Sequence, residues 1–292
     1  MQIFLLLVGV LALSTAVIFI KLCDTDPTLL TASRLVVAVI ALLPIVWADW
    51  RKHRDRLNWS HLRDAAVPGV LLALHFITWM IGARMTDVAN SSLIVNTSPV
   101  VAPLLLWLVV GERVTRWELL ATATAGVGLA ILFVSDYRLS AESFRGDLIC
   151  FGSMLLMALY LVLAKRFRHH PTVWLYVAPV YASAAVVSAA ASPVLVRDWS
   201  FSLREDLPYV LALGLIPTVI GHSLITNAMQ RLRGQLVMIV NLLQFVFAGV
   251  MGLLILGEWP LASFYSAAVF VVAAGVMVAL RRQPARVKKE DE

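Results

Sequence analysis

Ten long apolar runs follow one another along this chain of 292 residues, each separated from the next by a short polar link. They fall at roughly 3–22, 27–48, 65–84, 88–110, 116–135, 146–164, 172–196, 208–229, 235–256 and 262–280, and each is near the ~20 residues a helix needs to cross the hydrocarbon. None alternates with the period of two that a transmembrane barrel strand requires. The links are too short for a soluble domain. The pattern predicts an all-α membrane protein with ten transmembrane helices. In the first run, Ser14-Thr15-Ala16 resembles a small-residue cleavage site, but no Lys or Arg precedes Leu5 and the apolar stretch continues to Ile20. A secretory signal wants a basic start and a shorter apolar core, so a retained helix is expected.

The polar punctuation repeats. Gly111-Glu112 and Gly257-Glu258 each end an apolar run, half a chain apart. Lys21 precedes Pro27 as Lys165 precedes Pro171, and His75 and Asn96 have counterparts at His222 and Asn241 with nearly the same offset. An internal repeat on this scale governs the architecture. It divides the chain into a first five-helix unit at 1–137, a second at 146–283 and a tail at 284–292. Five is odd, so the second unit enters the membrane from the opposite side. The link after Glu112 carries Arg113 and Arg116, whereas Glu258-Trp259-Pro260-Leu261-Ala262 carries no cation. Two inverted five-helix repeats are the expected topology, a signature of secondary transporters.

Composition agrees. The chain is 60% hydrophobic and 14% charged, against about 25% charged in soluble domains. A net charge of +6 raises the question of nucleic acid, but its distribution answers it. With ten spans, 17 of the 24 Lys and Arg fall on the face that holds both termini. Arg51, Lys52, Arg54, Lys165, Arg166 and the tail belong to this group. That is the positive-inside rule, and it places both termini in the cytoplasm of a cytoplasmic (inner) membrane protein, with the lipid bilayer as partner and no nucleic acid. Cys23 and Cys150 fall near outer helix ends, where a disulfide and simple packing are both open. Metal-type Cys/His spacing is absent, and no metal or cofactor is expected.

Several motifs together resemble a known family. They are Pro27 with Arg34 and Ala38, His75-Phe76-x-x-Trp79, Thr97-Ser98-Pro99-Val100 and Gly111-Glu112 in the first half. In the second half they are Gly146-Asp147, Ala158-Leu159-Tyr160, Lys165-Arg166 and Gly257-Glu258. Taken in order, they resemble a ten-helix member of the drug/metabolite transporter superfamily built from two EamA-type repeats. The resemblance implies a small-molecule carrier, commonly an exporter of amino acids or related metabolites. It also implies a central cavity lined by spans 1, 3, 4, 6, 8 and 9. One departure stands out: the second repeat usually has a proline matching Pro99, and here the stretch reads Gln244-Phe245-Val246. This puts the kink of the ninth span in doubt and suggests that the two halves move unequally.

Polar groups at membrane depth are costly and point inward or toward function. Arg34 is the one permanent charge well inside a span. It either attracts a substrate carboxylate or plays a structural part, pairing with Asp24, Asp26 or helix-end carbonyls. His75 and His222 occupy corresponding positions and offer either proton carriage or a neutral bond to a neighbouring backbone. Trp79 stands one helical turn after His75, so the two form an amphipathic wall if they face inward. Asn96, Ser98, Tyr160, Asn241 and Gln244 complete the candidate substrate-binding set. Pro99 and Pro103 interrupt span 4 and are candidates for gating or a kink, since each removes a backbone donor. Glu112 and Glu258 sit at helix ends and read as structural groups accepting from the amides that open the next helix.

No Asp or Glu lies in the middle of a span, which argues against lipophilic cations as cargo. Paired carboxylates, a metal cluster or a nucleophile with its base are also absent, so an enzyme is disfavoured. The expected function is secondary transport, the expected cargo being small polar or zwitterionic metabolites (amino acids or related compounds) exported by alternating access. An uncoupled facilitator or exchanger with the same fold is the alternative. A homodimer is left open.

Overall fold

The computed structural model describes residues 1–86, 88–95, 97–136 and 141–280. Among them the chain is helical and contains no strand. Among the described residues nine stretches are long and apolar enough to cross a membrane. We label them with the helix Arg116–Asp136, which fills the position of the fifth span. They run α1 (Gln2–Leu22), α2 (Pro27–Arg56), α3 (Trp59–Met85), α4 (Ser91–Val110), α5 (Arg116–Asp136), α6 (Ser143–Arg166), α7 (Val173–Leu195), α8 (Leu207–Arg231), α9 (Gly234–Leu256) and α10 (Ala262–Ala279). At 21 residues, α5 is about 31 Å long, enough for the hydrocarbon. α3 begins earlier than its apolar run, so His61, Arg63 and Asp64 lie on its first turns.

Each helix hides one stripe and shows another. On α2, Leu35, Ala38 and Leu42 are buried while Val36, Ile40, Leu43 and Trp47 are exposed. The period is helical and the exposed stripe is apolar, as lipid contact requires. α3 packs on α6 and α7, α2 on α7 and α8, α5 on α10, and α1 on α8 and α9. Backbones come close at small residues. A Cβ on Gly69 of α3 would lie 2.4 Å from the Ser183 side chain of α7, and one on Gly82 would lie 2.6 Å from Cys150 Sγ of α6. Cys23 and Cys150 are free thiols, both buried.

Several breaks shape the interior, among them one at Thr15 of α1 and a π-helical end to α9 over Gly252–Leu256. In α4 the helix Val88–Val95 ends and another starts at Ser98. α8 widens to π-helical turns over Gly214–His222, around Pro217. Proline lacks the amide and crowds the carbonyl one turn back, and the wider turn relieves both. In α9 the break falls at Leu242, where the amides of Leu242 and Phe245 reach back only three residues, to Ile239 and Leu242. The ninth span is therefore interrupted without a proline. Phe245 stacks edge-on against Phe264 of α10, with ring centroids 5.0 Å apart.

The two Gly-Glu turns have one geometry. Gly111 and Gly257 are left-handed, with φ of 67° and 69°. The following amides, of Glu112 and Glu258, bond to carbonyls six residues earlier at 3.1 and 3.2 Å. Nothing crowds a Cβ at either glycine, so only the backbone conformation demands glycine there. A left-handed L-residue costs roughly 1–2 kcal/mol. Gly111→Ala and Gly257→Ala are each expected to destabilise the protein by about 1 kcal/mol in mixed-micelle unfolding, with asparagine replacements costing less. Equal cost for Asn, Ala and Val would show that the turn does not depend on the left-handed glycine.

Candidate functional site

The centre of the molecule is organised around a buried cation. Arg34 on α2 is fully inaccessible. Its Nε and Nη2 donate to Thr218 Oγ1 on α8 at 3.0 and 2.7 Å, and its guanidinium carbon lies 4.2 Å from the centre of the Phe76 ring on α3. Thr218 in turn donates to the carbonyl of Leu213 at 2.7 Å, five residues back along the π-helical turn. The Tyr181 hydroxyl of α7 donates to the Thr218 carbonyl at 3.2 Å. Arg34 thus joins α2, α3 and α8, and does so through a hydroxyl and an aromatic face. Of the alternatives the sequence leaves open, pairing with Asp24 or Asp26 is not the one used; Asp26 caps α2 by accepting from the Thr28 amide.

Beyond Phe76 lies the histidine pair. The His222 ring meets Phe76 edge-on at 4.8 Å and His75 at 6.4 Å. His75 stacks parallel to Trp79 at 6.1 Å, as the one-turn spacing predicts. Ser153 of α6 holds His75: its hydroxyl lies 2.8 Å from Nδ1 and 2.8 Å from the His75 carbonyl, and its own carbonyl is 3.0 Å from Nδ1. With Nδ1 engaged, Nε2 is the nitrogen left for exchange. His75, Trp79, His222 and Gln244 line one cavity with Leu13, Ala16, Val95 and Met157. The cavity measures about 20 Å³, whereas a site for a small organic ligand holds roughly 300–1,000 Å³. It has room for about one water. Trp79 Nε1 and His222 Nδ1 are buried there without a partner in the chain. Trp79 Nε1 is a donor, and His222 Nδ1 is a donor or an acceptor according to the tautomer; buried groups of this kind call for an explanation, and a ligand or water supplies one.

The other candidates are distributed around this cavity. Tyr160 on α6 is buried, and its hydroxyl pairs with Thr226 of α8 at 2.9 Å. Ser98 and Asn241 are buried near the breaks of α4 and α9, and neither is among the residues that line the cavity. Asn96 lies outside the described residues. Pro99 and Pro103 bring in a residue that the sequence reading overlooks. Pro103 has no amide for the Pro99 carbonyl, and Gln235 Nε2 of α9 donates to that carbonyl at 2.9 Å and approaches Thr122 Oγ1 of α5 at 2.6 Å. The proline-freed acceptor is thereby satisfied from the other half. A polar residue at the start of a span was the available signal.

The Gly-Glu carboxylates bridge the halves. Glu112 Oε2 lies 2.8 Å from Lys165 Nζ, and its Oε1 accepts from the Gly234 amide at 2.9 Å. Glu258 Oε1 lies 2.8 Å from Lys21 Nζ. The expected bond of Glu112 to the next helix is corrected: the amide is that of α9, far along the chain. Lys21 corresponds to Lys165 and Glu258 to Glu112, so the two bridges are equivalents. Counting antiparallel crossings puts the Lys165 bridge on the face of the N-terminus and the Lys21 bridge on the opposite face. Arg233 adds a pairing with Glu118, its Nη2 at 2.7 Å, on the N-terminal face.

Two further features lie away from the cavity. A cleft of about 510 Å³ is bounded by Leu93, Ile94, Val101, Leu129, Phe151 and Met154, with Thr97 and Asp147 as polar members; its apolar walls fit lipid better than a polar solute. On the N-terminal face, Asp64, His169 and His170 bring potential ligand atoms within 4.8 Å of one another. Spacing along the sequence does not reveal this group, since Asp64 stands over a hundred residues from the histidines.

Comparison with known proteins agrees with this architecture. The sequence matches the EamA-like transporter family twice, over residues 1–134 and 144–280. It is 26% identical over 272 residues to an uncharacterized transporter of Archaeoglobus fulgidus, covering 92% of each chain. It is 24% identical over 211 residues to solute carrier family 35 member G1 of Homo sapiens, covering 67% of this chain and 56% of that protein. A crystal structure described only as that of a protein superposes with a TM-score of 0.77 at 19% identity, over 96% of this chain and 97% of the other. The last likeness bears on the fold alone.

Removing the Gln235 amide while keeping its bulk leaves the Pro99 carbonyl buried and unpaired. Gln235→Leu is expected to cost about 1–3 kcal/mol in mixed-micelle unfolding. A neutral result would mean that another group or water takes over the acceptor.

Proposed function

The chain belongs to the EamA-like transporter family, and we propose that it exports small polar or zwitterionic metabolites, amino acids or related compounds, by alternating access. The carrying observation is the central cavity, in which Trp79 Nε1 and His222 Nδ1 lack partners while no carboxylate is among the lining residues. The Trp79 indole N–H favours a solute with an acceptor oxygen, and His222 Nδ1 pairs with a donor or an acceptor according to its tautomer. Arg34, one ring beyond at Phe76, adds a positive field that suits a carboxylate. Trp79 and His75 supply a flat wall for the rest of the solute.

At about 20 Å³ the cavity is too small for an amino acid, so loading requires helices to separate. The equivalent Lys–Glu bridges are the gates in this reading. Lys165–Glu112 closes the face of the termini, the cytoplasmic one by the positive-inside rule, and Lys21–Glu258 closes the other. Opening a face breaks its bridge and returns both charges to water. For the largely buried Lys165–Glu112 pair the lost Coulomb attraction and the recovered hydration are comparable, and the more exposed Lys21–Glu258 pair is weak at the outset, so gates of this type switch at small net cost. The inverted repeats make the two openings related motions. The break of α9 lacks a proline, and Phe245 packs on Phe264, so the second half is the stiffer of the two at this point.

Export is tested in proteoliposomes loaded with a panel of labelled amino acids and carboxylates. Counterflow of at least one is expected, and Trp79→Ala should reduce it about tenfold or more by removing both wall and donor. Transport that survives Trp79→Ala and His222→Leu unchanged would move the site elsewhere. For the gates, Glu258→Lys should abolish transport and Lys21→Glu combined with Glu258→Lys should restore part of it; failure of the double variant to recover any would rule out a pairing role. Proton coupling through His75 predicts that His75→Gln flattens the pH dependence of transport. A pH profile that is flat in the parent protein selects the uncoupled facilitator or exchanger.

A further inference from the structure

We propose that Asp64, His169 and His170 form a binding site for a divalent transition metal of the zinc type, on the face of the protein that carries the N-terminus. The site joins the first turns of α3 to the link between α6 and α7. His169 Nε2 and Asp64 Oδ2 are 3.1 Å apart, close to the ~3.3 Å that separates two ligands around a tetrahedral zinc with bonds of about 2.0–2.1 Å. A nitrogen of His170 lies within 4.8 Å of both, near enough to join them by a small ring movement. The chemistry of the set is selective. Two imidazoles and a carboxylate suit zinc, nickel or copper, while magnesium and calcium prefer oxygen throughout.

His170 is arranged as a ligand. Its Nδ1 lies 2.8 Å from the Phe167 carbonyl, and its Nε2 faces the His61 carbonyl at 3.3 Å. A neutral imidazole has one N–H. When Nδ1 donates to Phe167, the Nε2 lone pair points toward an oxygen, a contact that a cation relieves. To take a metal on Nε2 the ring turns away from the His61 carbonyl while Nδ1 keeps its bond to Phe167, which is the usual outer-shell arrangement of a metal-binding histidine. His61 adds a fourth nitrogen nearby, its ring 4.8 Å from that of His170 and 5.4 Å from that of His169. Its Nδ1 is occupied by Asn58, in the cap of the helix that begins at Trp59, leaving Nε2.

His169 follows Lys165 by one turn of chain, so the metal would sit on the same face as the Lys165–Glu112 bridge. Bound there, it ties α3 of the first half to the second half and holds that face closed. Metal binding itself does not depend on the transport reading; only this consequence does.

The test uses the full chain in detergent, purified without a polyhistidine tag and stripped with a chelator. Titration calorimetry with Zn²⁺ is expected to show one ion per chain, and Co²⁺ to give a visible ligand-field spectrum that Zn²⁺ abolishes. His169 is half exposed, so His169→Gln leaves the fold intact. It should weaken binding about tenfold or more, as should Asp64→Asn, while His53→Gln, at a histidine outside the cluster, should not. Unaltered elution and circular dichroism of each variant keep the comparison valid. Absence of saturable binding, or binding that persists in the Asp64→Asn, His169→Gln double variant, overturns the site. Binding that is lost as expected but leaves transport unaffected by Zn²⁺ keeps the site and removes the locking role.

Discussion

The Arg34 guanidinium is the constraint on which the centre of this protein depends. A permanent charge inside a span costs about 2.5–3.5 kcal/mol even on insertion scales, so it must be held by groups that the fold brings to it. Here they are the Thr218 hydroxyl and the Phe76 ring. To offer its hydroxyl, Thr218 sits in a π-helical segment widened around Pro217. His222 is the last residue of that same segment, and Phe76 is next to His75. Fixing Arg34 therefore also places the two histidines on either side of the cavity. The charge does not have to line the cavity to matter, because it orders residues that do.

A second constraint comes from the surroundings. Hydrocarbon offers no partners to the backbone, so each break in a helix must be satisfied from within. The Pro99 carbonyl, freed by Pro103, is met by Gln235 from the opposite half. Glu112 serves both Lys165 and the amide of Gly234, which opens α9. These polar ties link the halves at positions where the helices are weakest. Apolar packing alone would join them with less regard for register, since lipid is as apolar as a leucine surface.

Much of this was legible in the chain. The ten apolar runs correspond to the helices because span length and hydropathy are local properties, and the His75–Trp79 stack follows from helical spacing. The family likeness read from scattered motifs agrees with the match over both halves. Other points were not legible there, for physical reasons. For Arg34 the chain leaves a substrate carboxylate, helix-end carbonyls and loop carboxylates all open, and the partner found is a threonine that only helix packing brings near. The ninth span was doubted for want of a proline, yet its hydrogen bonding breaks at Leu242, since chain geometry is not dictated by proline alone. Glu112 and Glu258 read as structural groups at helix ends, and they are, but their lysine partners come from the other half.

The sequence by itself determined that the chain lives in a membrane, that its spans are helices and that its landmarks repeat. Those facts follow from periodicity and composition, which need no contact between distant residues. Tertiary structure alone decided that Lys21 faces Glu258 and Lys165 faces Glu112, that Gln235 answers Pro103, and that Asp64 meets His169 and His170. Each of these joins residues far apart in the chain, and electrostatic or hydrogen-bonding range is only a few ångströms. The spacing of letters carries no information about such distances until helices have packed.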